Sequence, residues 1–451
     1  MLHESVANTT CFTLCICVIY YKTGLLKEKY FESKRMLFVN TKEIILMGMR
    51  DTMKKFAKSN PVLTIAGLAA VISMFFVPPN AGYASYIDWR TIMLLCCQLL
   101  IVQGLMHSGL FKDISEKILS IVHDTRTLAA ILTLLCFFGS MLVTNDVSLI
   151  SFVPLTIVML AGGEKQIEGS ETNADARKKD RGKYEAKNND NLLIRVLVLQ
   201  TIAANLGSMF TPFGNPQNLY LFNLSGISGI AFLKLMAPYT GLSLLMIVVS
   251  FMFVPKRELR LVSAGEPYEH SSNGMNMKLL ERIISSLLMI LCIMAVFHVV
   301  NVTLLLVLCV VVYIILDRNV IRDMNYILPL TFIAFFILTG NIKAFPGFSE
   351  MLSEIITGHE MLTGVVASQI ISNVPAAMLL SSFTNQYRAL IIGTNIGGLG
   401  TLIASMASLI SFQFYNKTRN ARPGRYIGEF TVWNIMMLGS KGPLKTYKFA
   451  L

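Results

Sequence analysis

Long runs of apolar residues alternate with short polar segments along most of the chain after residue 60. Two windows, Val196–Leu233 and Val299–Leu316, contain no Asp, Glu, Lys or Arg. About 20 apolar residues in a helix cross the hydrocarbon core of a bilayer. A soluble domain has no need for so many apolar runs of this length. The pattern therefore predicts an all-α polytopic membrane protein.

Eleven apolar segments define the predicted helices. They are Val62–Val77, Thr91–His107, Thr127–Ala161, Leu192–Phe222, Phe232–Val254, Ile283–Val299, Val302–Leu316, Ile327–Ile342, Leu362–Phe383, Ala389–Phe412 and Ile427–Leu438. The third is interrupted by Thr144-Asn145-Asp146 and the ninth by Ser372-Asn373-Val374-Pro375. Polar breaks at membrane depth are tolerated only inside protein or beside a water-filled cavity. We therefore expect about nine spans plus two broken re-entrant hairpins.

This pattern divides the chain into successive regions. The predicted regions are 1–60, a basic cytoplasmic segment whose start could be mis-assigned; 61–254, a first repeat with a flexible cytoplasmic loop at 162–191; 255–300, a linker and connecting span; 301–440, a second repeat; and 441–451, a tail. The apolar patch Thr9–Tyr21 is too short to span a membrane comfortably.

Charge indicates orientation rather than a nucleic-acid partner. The chain has 39 Lys and Arg against 27 Asp and Glu, a formal net charge of +12. With the two hairpins in place, 31 of the basic residues fall in loops on one side and 6 on the other. Basic loops are typically cytoplasmic. We expect an integral, multi-pass protein of the plasma or inner membrane if prokaryotic, with its N-terminal region inside. The eight cysteines lie in apolar segments and predict buried thiols rather than disulfides.

Two short stretches repeat without gaps. Ala204–Thr211 and Thr394–Thr401 share Asn, Gly and Thr at the same spacing, 190 positions apart, and each follows one of the broken segments. On the predicted topology the two halves run in opposite directions through the membrane. Inverted repeats with discontinuous helices are the sequence signature of a secondary transporter's binding site.

The chemistry expected at such a site follows from broken helices. Helix N-termini attract anions, whereas unwound carbonyls suit Na⁺ or a proton-bearing group. The candidate substrate and ion ligands are Thr144, Asn145, Asp146, Asn205, Gly207, Ser208, Thr211, Asn215, Ser372, Asn373, Asn395, Gly397, Gly398 and Thr401. The glycines have an alternative interpretation as close helix-packing positions.

Asp146 is the only acidic residue between Asp124 and Glu164. A carboxylate facing lipid costs about 2.5–3.5 kcal/mol, so such a residue usually faces a cavity and serves an ion or a proton. The alternative is a helix N-cap, a position where Asp is favoured.

Three motifs, Val143–Ser148, Thr211–Asn218 and Ser372–Ala376, together resemble the ion transporter superfamily, closest to citrate-transporter-like permeases and the arsenite permease branch. The resemblance implies a scaffold domain, a transport domain that moves as an elevator, and a homodimer. It also implies Na⁺ and substrate carboxylate at both hairpin tips, with Na⁺ at Asn145, Asp146 and Asn373. Two departures from the sodium symporters argue against sodium-coupled dicarboxylate uptake and favour proton coupling or arsenite-like export: Asp146 and Val374 stand where the symporters have hydroxyl residues.

The leading hypothesis is a secondary active transporter of a small anion or oxyacid, citrate-like or arsenite-like, coupled to H⁺ or Na⁺ and needing no other cofactor. Its expected partners are the lipid bilayer, the small-molecule substrate, a second copy and, for an arsenite-type protein, a soluble ATPase. A Na⁺/H⁺ antiporter is the main alternative, ahead of a passive channel or an intramembrane enzyme. The spans offer one convincing carboxylate where aspartyl proteolysis needs two, so we expect no enzyme.

Overall fold

The computed structural model describes residues 56–57, 60–80, 82–111, 113–114, 117, 122, 124–161, 176–257 and 272–439, and it is dominated by helices. The patch Thr9–Tyr21 and the tail 441–451 lie outside the described residues, as do Cys11, Cys15 and Cys17. The five cysteines at 96, 97, 136, 292 and 309 are buried, as predicted.

The helices follow one another in a simple order. They are α1 Pro61–Phe76, α2 Tyr83–Tyr86, α3 Trp89–His107, α4 Thr125–Val143, α5 Asn145–Ala161, α6 Ala176–Ser208, α7 Pro216–Ser225, α8 Gly229–Ser250 with the 3₁₀ turn Phe251–Phe253, α9 Ser272–Val296, α10 Val302–Leu316, α11 Arg318–Asp323, α12 Ile327–Lys343, α13 Pro346–Ile356, α14 Glu360–Ile371, α15 Asn373–Leu380, α16 Tyr387–Ile396, α17 Met406–Asn416 and α18 Pro423–Gly439.

Five of the described helical segments are long and apolar enough to cross a membrane. They are Trp89–His107, Thr125–Val143, Asp190–Ser208, Gly229–Phe253 and Met277–Val296. Further apolar helices of 10–17 residues, such as α1, α10 and α12, accompany them. An all-α polytopic membrane protein is therefore the architecture, as the hydrophobic pattern predicts.

The interruptions of the apolar segments appear as real helix ends. Only Thr144 separates α4 from α5, and only Ser372 separates α14 from α15. The segment Leu192–Phe222 is interrupted at residues 209–215, and Ala389–Phe412 at residues 397–405. Each interruption places Gly, Pro, Asn, Ser or Thr where α-helix is least favoured or where a cap is needed.

The prediction of a flexible loop over 162–191 is wrong in its second half. Helix α6 begins at Ala176 and runs without a break to Ser208. Residues 176–187 are rich in Ala, Lys, Arg and Glu, which are good helix formers. A polar, charged composition therefore indicated exposure but did not exclude a helix. Residues 162–175 lie outside the described part of the chain.

The chain divides into two compact units, Met1–Leu100 with Leu306–Ser349, and Ile101–Leu305 with Glu350–Leu451. In the first unit α1 packs on α12, and Asn341 Nδ2 donates to Ser73 Oγ at 2.8 Å and to Tyr83 OH at 3.0 Å.

The second unit contains both single-residue helix breaks, and α4 packs on α6 at its centre. Asp124 caps α4 by accepting from Arg126 N at 3.0 Å and Thr127 N at 2.9 Å. These donors, the Thr127 amide first among them, hold the pKa of the Asp124 carboxyl below its usual value. The capped start fixes where α4 begins, 19 residues before its break at Thr144.

Candidate functional site

The two helix breaks have the same backbone conformation. Thr144 has φ 79° and ψ 154°, and Ser372 has φ 76° and ψ 152°. Together with His298 these are the non-glycine residues of positive φ in the described chain. This conformation costs about 1–3 kcal/mol and persists only where the surroundings impose it. The same strained geometry recurs at both breaks. The two helix tips, at Thr144 and Ser372, therefore have equivalent backbone structures.

The same backbone bond fixes both tips. Asn145 N–H donates to Gly214 O at 3.2 Å, and Asn373 N–H donates to Ala404 O at 2.9 Å. In each half the acceptor lies two residues before the next helix, α7 or α17, and directly before its N-cap residue. Each tip therefore meets the unwound segment that follows the repeated Asn-Gly-Thr sequence.

The repeated threonines make a second matching bond. Thr211 Oγ1 donates to Met141 O at 2.7 Å, and Thr401 Oγ1 donates to Gln369 O at 3.1 Å. Each carbonyl lies in the last turn before a break, where helix carbonyls lack an intrahelical partner. These two hydroxyls are thus engaged in hydrogen bonds that stabilise the helix ends at the breaks.

The repeated glycines lie where helices approach most closely. A Cβ on Gly207 would lie 2.0 Å from Phe137 O, and one on Gly397 would lie 2.6 Å from Ser368 Oγ. A Cβ on Gly398 would lie 2.9 Å from Asn373 Nδ2. The packing interpretation of these glycines therefore agrees with the contacts. They bring the end of α6 against α4, and the unwound segment after α16 against α14 and the second tip.

Buried amides connect the two halves. Asn205 Oδ1 accepts from Asn145 Nδ2 at 3.1 Å and from Ser405 Oγ at 2.9 Å. Asn395 Oδ1, at the repeated position, accepts from Asn215 Nδ2 at 2.9 Å. Asn215 and Ser405 also cap α7 and α17. The asparagine of each repeat is therefore bound by the capping residue of the other.

A second crosswise pair strengthens this arrangement. Asn395 Nδ2 donates to Asn218 Oδ1 at 2.5 Å, and Asn205 Nδ2 lies 3.5 Å from Ser408 Oγ. Asn218 and Ser408 are separated by the offset that separates Asn205 from Asn395. All of these side chains are buried. The hydrogen bonds thus recur in pairs that relate one half to the other.

Sequence reasoning missed two amides that tie down unwound carbonyls. Asn218 Nδ2 donates to Met209 O at 3.2 Å and Thr211 O at 3.1 Å, and Gln369 Nε2 donates to Gly397 O and Leu399 O at 2.8 Å each. Asn218 could have been found from the repeat offset. Gln369 could not, because Met141 stands at the matching position of the first half.

Acceptor oxygens at the first tip lack hydrogen-bond partners. Asn145 is 4% exposed, and its Oδ1 has no hydrogen-bond partner among the described residues. A buried polar atom without a partner costs about 1–3 kcal/mol, so such an atom calls for a ligand. The neighbouring Asp146 is half-buried in the first turn of α5, outside the amide network.

The second tip differs at the same place. Asn373 Oδ1 accepts from Val374 N at 3.0 Å and lies 3.5 Å from Ser372 Oγ. In the first half, Ser208 Oγ is already engaged, because it accepts from Asn215 Nδ2 at 3.2 Å. At the two tips, the acceptors without a described partner are therefore those of Asn145 and Asp146.

The donor set is one of amide, hydroxyl, carboxylate and backbone oxygens. Within the described residues there is no cluster of three or more His, Cys, Asp or Glu that could hold a metal ion. Oxygen ligands suit hard cations, whereas the softer transition metals prefer His and Cys. The arrangement can accept a cation or a proton-bearing group beside Asn145.

Apolar helices with paired, buried polar breaks define the class of this protein, a polytopic membrane transporter. Residues 44–385 match the citrate transporter family, and the chain belongs to that family. This match includes both helix breaks and ends before Asn395. The protein is therefore a transporter and not an enzyme.

Two curated relatives agree with this assignment. The inner membrane protein YbiR of Escherichia coli (strain K12) is 28% identical over 358 residues, covering 76% of this chain and 85% of the relative. The uncharacterized transporter MJ0456 of Methanocaldococcus jannaschii is 31% identical over 344 residues, covering 76% of this chain and 84% of the relative.

Proposed function

We propose that this protein is a secondary active transporter of a small anion or oxyacid, coupled to H⁺ or Na⁺. The observation that carries the proposal is the pair of matched helix breaks, joined by crosswise bonds between the asparagines of one half and the caps of the other. Secondary transporters bind their substrates at such discontinuous helices.

The matched bonds support an inverted repeat with about nine spans and two re-entrant hairpins. In this arrangement the first hairpin enters from the cytoplasm and the second from outside. The basic loops support an N-terminal region inside the cell. The family resemblance implies alternating access by an elevator-type movement.

The chemistry of the first tip favours one arrangement of ligands. A cation or proton occupies the open oxygens of Asn145 and Asp146, and the substrate lies at the first turns of α5 and α15, whose amides favour negative groups. An ionised Asp146 repels a dicarboxylate unless a cation or proton neutralises it. A neutral oxyacid of the arsenite kind meets no such repulsion.

A thermal-shift screen tests this proposal. The purified protein is measured with citrate, sulfate and arsenite, with and without Na⁺, at two pH values. A ligand present at 100 times its dissociation constant stabilises the folded state by about 2.7 kcal/mol. We expect one anion to stabilise the protein in a Na⁺- or pH-dependent manner, and we expect Asn145→Ala to lose that shift. The proposal fails if none of these ligands shifts the unfolding temperature in the wild-type protein.

A second candidate is a Na⁺/H⁺ antiporter. It is favoured by the half-buried Asp146 carboxylate, which bonds to no described cation or donor. In vesicles with an internal pH dye, an antiporter changes the lumenal pH on addition of Na⁺ without any organic or oxyanion. An anion-coupled transporter leaves the lumenal pH unchanged under those conditions.

The assembly follows the family resemblance. We propose a homodimer, and a soluble ATPase as an additional partner if the substrate is arsenite. Mass photometry in detergent or nanodiscs distinguishes a dimer from a monomer. Stimulation of arsenite efflux by an added ATPase tests the second partner.

A further inference from the structure

A groove of about 570 Å³ lies in the second unit, formed by residues that take no part in the paired amide network. Its walls come from α6, the 3₁₀ turn after α8, and one face of α18. The residues that line it include Arg195, Phe253, Arg425, Val432, Trp433 and Met436. It is cationic at one end and apolar at the other.

The cationic end contains one uncompensated charge. Arg195 Nε donates to Glu429 Oε1 at 2.7 Å, and Arg195 Nη1 donates to Phe253 O at 2.8 Å. This ion pair neutralises Arg195 and Glu429. Arg422 pairs with Asp190. Arg425 is exposed and forms no ion pair with any residue in the described part of the chain, so its charge is available to a ligand.

The apolar end continues along the same face of α18. Val432 is 57% exposed and Met436 is 52% exposed, at steps of about two and three helical turns from Arg425. Gly428 lies between Arg425 and Val432, and nothing approaches its Cβ position within 4 Å. Between the guanidinium and the apolar strip this face has only Gly428 and Glu429, whose carboxylate is paired with Arg195.

An aromatic pair borders this strip. The rings of Phe253 and Trp433 meet edge to face with centroids 5.9 Å apart, and Phe253 is 56% exposed. Tryptophan and tyrosine are enriched at the level of lipid headgroups, and Trp433 is the member of this pair that follows that preference. A free inorganic anion would need the guanidinium alone, whereas a phospholipid uses the charge, the aromatic border and the apolar strip together.

We propose that this groove binds an anionic phospholipid of the cytoplasmic leaflet, with its phosphate at Arg425 and its acyl chains over Val432 and Met436. Basic pockets on the cytoplasmic side are typical sites for anionic headgroups. The leaflet assignment rests on the orientation given under Proposed function. The occupant itself rests on the groove, and it is tested independently of transport.

The test measures lipid retention by native mass spectrometry of the full chain. Wild type, Arg425→Gln and the control Arg388→Gln are purified in detergent with phosphatidylglycerol or phosphatidylcholine of identical chains. Arg388 is also exposed and forms no ion pair in the described chain, but lies at the start of α16. We expect wild type and Arg388→Gln to retain phosphatidylglycerol over phosphatidylcholine, and Arg425→Gln to bind phosphatidylglycerol about fivefold more weakly.

Further variants and ligands distinguish a phospholipid from other occupants of the groove. Val432→Asn is expected to weaken phosphatidylglycerol retention while keeping the guanidinium. Equal retention by wild type and Arg425→Gln would overturn the proposal. So would protection of the wild type against heating by inorganic phosphate as strong as that by the lipid. Efficient disulfide dimerisation of a Val432→Cys variant would assign the face to a second copy instead. Transport is assayed separately on the same samples, so loss of transport does not affect this result.

Discussion

Thr144 and Ser372 show how single residues define the site. A β-branched threonine seldom adopts a positive φ, yet Thr144 has φ 79°. Its backbone is held because Asn145 N–H bonds to Gly214 O on one side and Thr211 Oγ1 bonds to Met141 O on the other. The break is therefore imposed by the unwound segment at residues 209–215, which supplies both bonds, and is not a local preference of the tip itself.

Asp146 gives a prediction at this scale. Asp146→Asn keeps the shape and polarity of the side chain but removes the charge that titrates. We expect the variant to insert normally and to lose the pH or Na⁺ dependence of transport, because it can neither release a proton nor pair with a cation. The dependence is measured as uptake rate in vesicles over pH 5.5–8.5 at fixed membrane potential. A variant with the wild-type pH profile and Na⁺ response would leave Asp146 only a helix-terminal role.

At the scale of elements, the positions of the helix breaks could be predicted from sequence because polar residues at membrane depth must have internal partners. The helical extension to Ala176 could not be predicted in the same way, because charged helix formers are also typical of loops. The role of Gln369 depends on tertiary placement, since its amide bonds to carbonyls about 30 residues further along the chain. The sequence places the asparagines of the repeat close to the helix breaks, whereas their crosswise hydrogen bonds follow only from the fold.

The contact of α4 with α6 gives the element-scale prediction. Gly207→Ala places a methyl group against Phe137 O, where an ideal Cβ would lie at 2.0 Å. Overpacking of this kind costs about 1–3 kcal/mol, so the unfolding temperature should fall by several degrees. The control is Gly241→Ala in α8, where nothing lies within 4 Å. That change should be neutral or slightly stabilising, because Ala favours a helix more than Gly does. Equal effects of the two substitutions would contradict a close contact at Gly207.

At the scale of the whole molecule, the surplus of basic residues predicts the orientation of the chain in the membrane. Most of the Lys and Arg lie in loops that the topology assigns to one side of the membrane. The low charged fraction of 15% leaves the spans with few ionisable groups. This combination makes the polar breaks easy to find in the sequence, and the positive-inside bias predicts which loops are cytoplasmic.

Cysteine labelling in intact cells tests this orientation. In a background without the eight native cysteines, Arg388→Cys and Lys417→Cys each provide one exposed thiol. A membrane-impermeant maleimide should label Arg388→Cys directly, and should label Lys417→Cys only after permeabilisation. The reverse pattern would show that the chain is oriented the other way.

Transport driven by an ion gradient is the most direct test of the central claim, that the two helix tips form one site of a coupled transporter. Proteoliposomes with imposed H⁺ or Na⁺ gradients are assayed for uptake of citrate and arsenite by wild type, Asn145→Ala, Asn373→Ala and the exposed control Asn385→Ala. We predict saturable accumulation by wild type and Asn385→Ala that stops when the gradients are dissipated, and none by the two tip variants despite normal insertion. Flux that persists without any ion gradient, or wild-type uptake by both tip variants, would contradict the account.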